Sequence, residues 1–208
     1  MRPFLPLTLF WVILGIPAFC QKHTSTNTED LHARLLTGKK KAVLAYAGPS
    51  HSFILDVPVR SSKPPDVPGF VNIDRQIVQA TVVPVDRAVD LRRLTTDREK
   101  DILTGYMNYE LSYFKKKLKQ DYSHVRTEWL ALGGKTFLLW QFDMSDHDKL
   151  VNHQVYLSTL FFDRVMDLNA PIFKKDDVEK AREILVGLAR SMKTYDRKLD
   201  LDALGKKL

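Results

Sequence analysis

The chain has 208 residues, 44% of them hydrophobic and 27% charged, with a net charge of +7. That length suits one domain, or one domain plus a targeting segment, and the apolar content makes a folded rather than a disordered chain the expectation. The single cysteine, Cys20, excludes a disulfide framework or a thiolate metal site within the domain. Removing residues 1–20, which contain Arg2 and no acid, leaves +6, a basic balance that suits acidic partners or anionic surfaces. Lys and Arg are spread along the whole chain, whereas a nucleic-acid binder would concentrate them, so nucleic acid is disfavoured as a partner.

Residues 1–20 read as a secretory signal. Arg2 precedes an apolar stretch from Phe4 to Ile16, and Ala18-Phe19-Cys20 offers a small-x-small cleavage site before Gln21. Export is therefore expected, to a periplasmic or secreted location. Two alternatives stay open: an uncleaved anchor, and a lipoprotein signal lipidated at Cys20, against which Pro17 and Phe19 both stand. Membrane contact is expected only through such an N-terminus.

Residues 21–38 are expected to form a polar tether and then a short helix over Thr28–Thr37, closed by Gly38. The single α+β domain is expected over 39–195. Ala42–Ala47, the Gly48-Pro49-Ser50 turn and Phe53–Val59 predict an antiparallel hairpin. Ser61–Gly69 holds three prolines and reads as a loop. Ile77–Val85 is β-branched and predicts a strand whose end, at Pro84, lies at an edge or bulge.

Thr96-Asp97-Arg98-Glu99 has the pattern of a capping box, in which hydroxyl and carboxylate satisfy free backbone donors at a helix start. Leu103, Met107, Leu111, Phe114 and Leu118 follow at helical spacing and make one apolar stripe. Gly105 within that helix suggests close packing. His124–Leu132, Gly133-Gly134 and Thr136–Met144 predict a second hairpin. Asp146-His147-Asp148 reads as a polar turn, and Gln154–Phe162 with Arg164–Leu168 extend the sheet. Asp176-Asp177-Val178-Glu179 opens a last helix with the stripe Val178, Ala181, Leu185, Leu188 and Met192. Residues 196–208 read as a loose basic tail. Strands in blocks, interrupted by one helix and closed by another, predict an α+β class with a mainly antiparallel sheet flanked by helices.

No dinucleotide fingerprint, phosphate loop, zinc-protease helix motif or serine-elbow motif occurs, and no cofactor is expected. Asp143, Asp146, His147 and Asp148 are the densest oxygen and nitrogen cluster, but the stretch lacks the Gly and distal Glu of a calcium loop. The six histidines show no i, i+4 pair. Lys115, Lys116, Lys117 and Lys119 crowd the end of the first long helix, where cations complement its dipole and could dock an acidic partner. Trp129, Trp140, Phe137 and Phe142 lie on the hairpin strands, and their bulk suits a core.

The run Glu128-Trp129-Leu130-Ala131-Leu132-Gly133-Gly134 into Thr136-Phe137-Leu138-Leu139-Trp140 begins a recognisable order. Gln154-Val155-Tyr156-Leu157-Ser158-Thr159, then Arg164-Val165-Met166-Asp167-Leu168-Asn169-Ala170-Pro171 and a closing helix complete it. This order resembles the PsbP-like α/β/α sandwich, over roughly residues 40–195 and most clearly over 95–195. The resemblance implies one antiparallel sheet of about seven strands between helices, in a non-enzymatic binding or assembly module. No site motif of that family is matched, so no functional residue is carried over.

The expected function is an exported, non-catalytic accessory domain that docks an envelope protein or an anionic surface. One alternative is a small-molecule binder with a pocket between sheet and helix lined by Trp129, Trp140 and Tyr156. Another is a hydrolase with a dispersed site, for which Asp143, His153 and Ser158 are candidates.

Overall fold

The computed structural model describes residues 31–58, 69–85, 94–145 and 150–208. The expected signal segment, residues 21–30, nearly all of the expected Ser61–Gly69 loop and the expected Asp146-His147-Asp148 turn lie outside the described residues.

Two antiparallel sheets carry the fold among these residues. The larger runs in the order β4 (Phe70–Ile73), β5 (Gln76–Pro84), β9 (Arg164–Phe173), β8 (Val151–Phe161), β7 (Lys135–Met144) and β6 (Tyr122–Leu132). The smaller runs β1 (Arg34–Thr37), β2 (Ala42–Ala47), β3 (Ser52–Val57) and β10 (Lys193–Tyr195). Three helices complete the set: α1 (Thr96–Lys116), α2 (Val178–Arg190) and the short α3 (Leu201–Gly205). The class is α+β as expected. The single sheet of about seven strands is corrected to two sheets of six and four strands.

Strand alternation sorts the side chains into two cores. Phe137, Leu139, Val155, Leu157, Met166 and Leu168 face one way, toward Ala181, Leu185 and Leu188 of α2 and toward Leu44, Tyr46, Phe53 and Leu55 of the smaller sheet. Leu138, Trp140, Phe142, Tyr156, Leu160 and Val165 face the other way, under Leu103, Met107, Leu111 and Phe114 of α1. Each fully buried side chain of this size contributes roughly 1.5–3 kcal/mol. The helical stripes read from sequence are thus the faces that seat both long helices.

Local chemistry fixes the ends of these elements. Thr95, one residue before the expected cap, accepts from the Arg98 amide at 3.3 Å, and Asp177 accepts from the Glu179 amide at 2.9 Å. Gly133 and Gly134 turn β6 into β7 at φ +56° and +76°, where a side chain would be strained. Pro84 is the last residue of β5 and stands beyond the segment that β4 covers, Gln76–Gln79. Pro171 lies inside β9, and its carbonyl accepts from the side-chain amide of Gln76 at 2.8 Å. The ladder between β5 and β9 reaches only Asn169, so the proline stands beyond it.

Three expectations are corrected. The helix over Thr28–Thr37 is not formed in its described part. His32 bridges to Thr81, the Ala33 amide bonds the Ala80 carbonyl at 3.0 Å, and Arg34–Thr37 then joins the smaller sheet. A helix of about ten residues is marginal on its own, and two open sheet edges offer the same backbone more. Gly105 is exposed, with nothing within 4 Å of where its Cβ would be, so it marks no close packing.

The tail is not loose. Ser52 Oγ donates to the Arg197 carbonyl at 2.7 Å and accepts from the Leu199 amide at 3.0 Å. Leu199, Leu201, Leu204 and Leu208 then cover Val43, Ala45 and Ile54 on the outer face of the smaller sheet. The count of lysines hid a leucine stripe.

Candidate functional site

The α1-facing side of the larger sheet carries a row of buried polar side chains. Gln154, Tyr156 and Ser158 alternate along β8, while Asp167 and Asn169 alternate along β9, so period two puts all of them beneath α1. Asn169 Nδ2 donates to Gln154 Oε1 at 3.2 Å. Trp140 Nε1 donates to Ser158 Oγ at 3.0 Å, and that hydroxyl donates onward to Asp167 Oδ1 at 2.5 Å. The Trp140 and Tyr156 rings, a cross-strand pair, stack at 3.9 Å beside this chain.

From above, α1 lowers Glu110 into the same layer, 6% exposed, with Oε1 buried and, among the described residues, without a hydrogen bond. Burial, and then the charge of Asp167, push the Glu110 carboxyl up to about 8. Burial also lifts Asp167, to about 7, against the hydrogen bonds of Ser158 and Tyr106 that pull it down. Tyr106 and Tyr156 are both pushed well above the usual phenol range, first by burial and then by these two acids. Two carboxyls from facing elements thus share a buried interface with hydroxyls and, among the described residues, no cation; such surroundings favour the neutral acid.

A second cluster lies on the opposite face of the sheet. Asp143 on β7 and His153 on β8 are directly paired, with His153 Nδ1 at 2.6 Å from Asp143 Oδ1. His124 Nδ1 reaches Asp143 Oδ2 at 2.9 Å from a bulge in β6, with His124 at φ +50°. Burial raises the Asp143 carboxyl, but the hydrogen bonds from His153 and His124 outweigh it and hold it below the usual value. His153 Nε2 meets Gln141 Oε1 at 3.2 Å, which leaves the buried ring with partners on both sides. Among the described residues, no group of three or more His, Asp and Glu side chains is placed to hold a metal.

Asp143 and His153 therefore come together, but Ser158 does not join them. It stands five positions after His153 on an unbroken stretch of β8, so it points through the other face of the sheet. Its hydroxyl is already held between Trp140 and Asp167. Of the three aromatic candidates, Trp140 and Tyr156 are buried under α1, and Trp129 lies at the margin of the same face, 38% exposed with Lys100 Nζ 5.5 Å above its ring. Lys115, Lys116, Lys117 and Lys119 are all exposed where α1 ends. Among the described residues none of the four is held in an ion pair.

Sequence reasoning missed Glu110 and Asp167. The signal for Asp167 was available, since polar residues recur at every second position in the apolar runs Gln154–Ser158 and Asp167–Asn169. Glu110 was masked as one polar residue in an amphipathic helix.

Two cores on opposite faces of the larger sheet, one under α1 and one under α2, define an α+β protein. The chain is similar to the solution structure of cyanobacterial PsbP (CyanoP) from Synechocystis sp. PCC 6803, with 12% identity and a TM-score of 0.47, over 76% of this chain and 95% of that one. No protein-family model matches the chain. No curated protein matches it either. No described helix is long and apolar enough to cross a membrane.

Proposed function

We propose that this protein is an exported, non-catalytic accessory domain of the cell envelope that docks an acidic protein or an anionic surface through the end of α1. The observation that carries this reading is the set of four exposed lysines, Lys115, Lys116, Lys117 and Lys119, on and just beyond the last turn of that helix. Cations concentrated at one point raise the local potential and steer acidic partners, an effect that salt weakens. The separation of Ser158 from Asp143 and His153 by the sheet argues against the hydrolase named above.

Affinity capture from the native envelope, with Gln21–Leu208 beside a variant carrying all four lysines changed to Glu, tests the reading. Co-sedimentation with anionic and with zwitterionic vesicles runs in parallel. A specific protein, or binding to anionic vesicles, that is retained by the wild type and lost by the variant supports docking at this end of α1. Equal behaviour of the two forms in every arm overturns it.

A second reading is favoured by one observation, the unpartnered Oε1 of buried Glu110. It makes the layer of Trp140, Tyr156 and Glu110 a site for a small molecule that brings a hydrogen-bond donor. Competition of such a ligand with an environment-sensitive dye, lost in Glu110→Ala and kept in the lysine variant, separates it from the first reading.

A further inference from the structure

The seat of α1 contains a feature that the docking reading does not use. Glu110 sits inside the buried stripe of Leu103, Met107, Leu111 and Phe114, where a hydrophobic residue would pack with less difficulty. The groups that face it are Tyr106 and Tyr109 on its own helix, Tyr156 on β8 and Asp167 on β9, with Trp140 of β7 and Ser158 behind them. None of these is cationic, and among the described residues neither carboxyl is joined to a Lys, Arg or His. A buried carboxylate without a cationic partner strongly disfavours the closed state, while a neutral carboxylic acid is tolerated there.

We propose that Glu110 and Asp167 form a proton-gated lock that decides whether α1 stays seated on the larger sheet. With α1 seated, both carboxyls hold protons at pH below about 7, and Asp167 accepts from Ser158 and Tyr106. When α1 lifts, both side chains meet water and ionise. Among the described residues the core beneath α2, built from Leu185, Leu188 and the facing strands, contains no such pair of buried acids, and it stays closed. The lock stands apart from the docking reading, since it concerns the seat of the helix and not its lysines.

The direction follows from proton linkage. Free Asp and Glu titrate near about 3.9 and 4.3, and the seated state lifts them to about 7 and about 8. Seated α1 therefore binds more protons than lifted α1 between those limits. Its advantage is full below the free values and is lost as pH rises to the seated ones.

The test is residue-resolved amide exchange on the full chain from pH 5 to 8.5, corrected for intrinsic exchange. The expected result is that α1 protection falls about tenfold per pH unit for each proton held, while α2 stays at least about tenfold more protected. Glu110→Gln keeps the shape but cannot ionise, so the slope should lose the contribution of one proton. Adding Asp167→Asn should flatten it, and if that form does not fold, the slope in Glu110→Gln alone decides. A flat wild-type profile, an unchanged slope in Glu110→Gln, or α1 and α2 opening together as one unit would each overturn the lock.

Discussion

Replacing Ser158 with Ala removes one oxygen from the interior and disconnects two groups at once. Trp140 Nε1, on a fully buried ring, loses its acceptor at 3.0 Å, and Asp167 Oδ1 loses its donor at 2.5 Å. Each orphaned buried group costs about 1–3 kcal/mol. The two losses share one atom and do not simply add, so the expected destabilisation is about 2–4 kcal/mol. Urea unfolding followed by far-UV circular dichroism measures it, as a lower midpoint with the slope unchanged.

A pH signature should accompany this loss. Ser158 holds the Asp167 carboxyl down, so its removal lets that group rise further above about 7. A carboxyl raised in the folded state favours folding at low pH and loses that contribution as pH climbs to its folded value. The deficit of Ser158→Ala should therefore be larger at pH 8.5 than at pH 5. A loss below about 1 kcal/mol, or an equal deficit at both pH values, would refute the hydrogen-bond reasoning. If the variant lost an enzymatic activity while keeping its stability, Ser158 would be a reacting group and not a structural one.

Two further outcomes are expected, from the helices. Gly105→Ala fills an exposed helix position with open space around it and should raise stability by about 1 kcal/mol in a thermal melt. A lower melting temperature would mean that the helix is crowded at that point. Leu185→Ala opens a void in a fully buried part of α2 and should destabilise by about 2–5 kcal/mol in chemical denaturation. A wild-type midpoint there would detach α2 from the core.

Much of the fold was legible from one dimension. The apolar stripes of α1 and α2, the Gly133-Gly134 turn and the four strands that follow α1 and precede α2 all depend on neighbours within a few positions, and period and turn chemistry report such neighbours directly. The lysine run was legible for the same reason. The candidate polar layer was only half visible, because alternation along β8 and β9 shows which residues share a face but not what covers that face.

The division into two sheets, the conversion of the expected helix near Thr37 into strand pairings, and the docking of the tail on Val43, Ala45 and Ile54 were decided by the tertiary structure alone. Each depends on partners as far apart in the chain as Ser52 and Leu199, or on which sheet edge is left open, and local propensity carries no record of either. The pairing of Glu110 with Asp167 belongs to the same category. By itself the sequence determined which residues would be helical and which extended along most of the chain, and that a run of lysines would stand at the end of α1. Only packing could bring two acids, separated in chain order by β6, β7 and β8, into one buried layer where burial raises both.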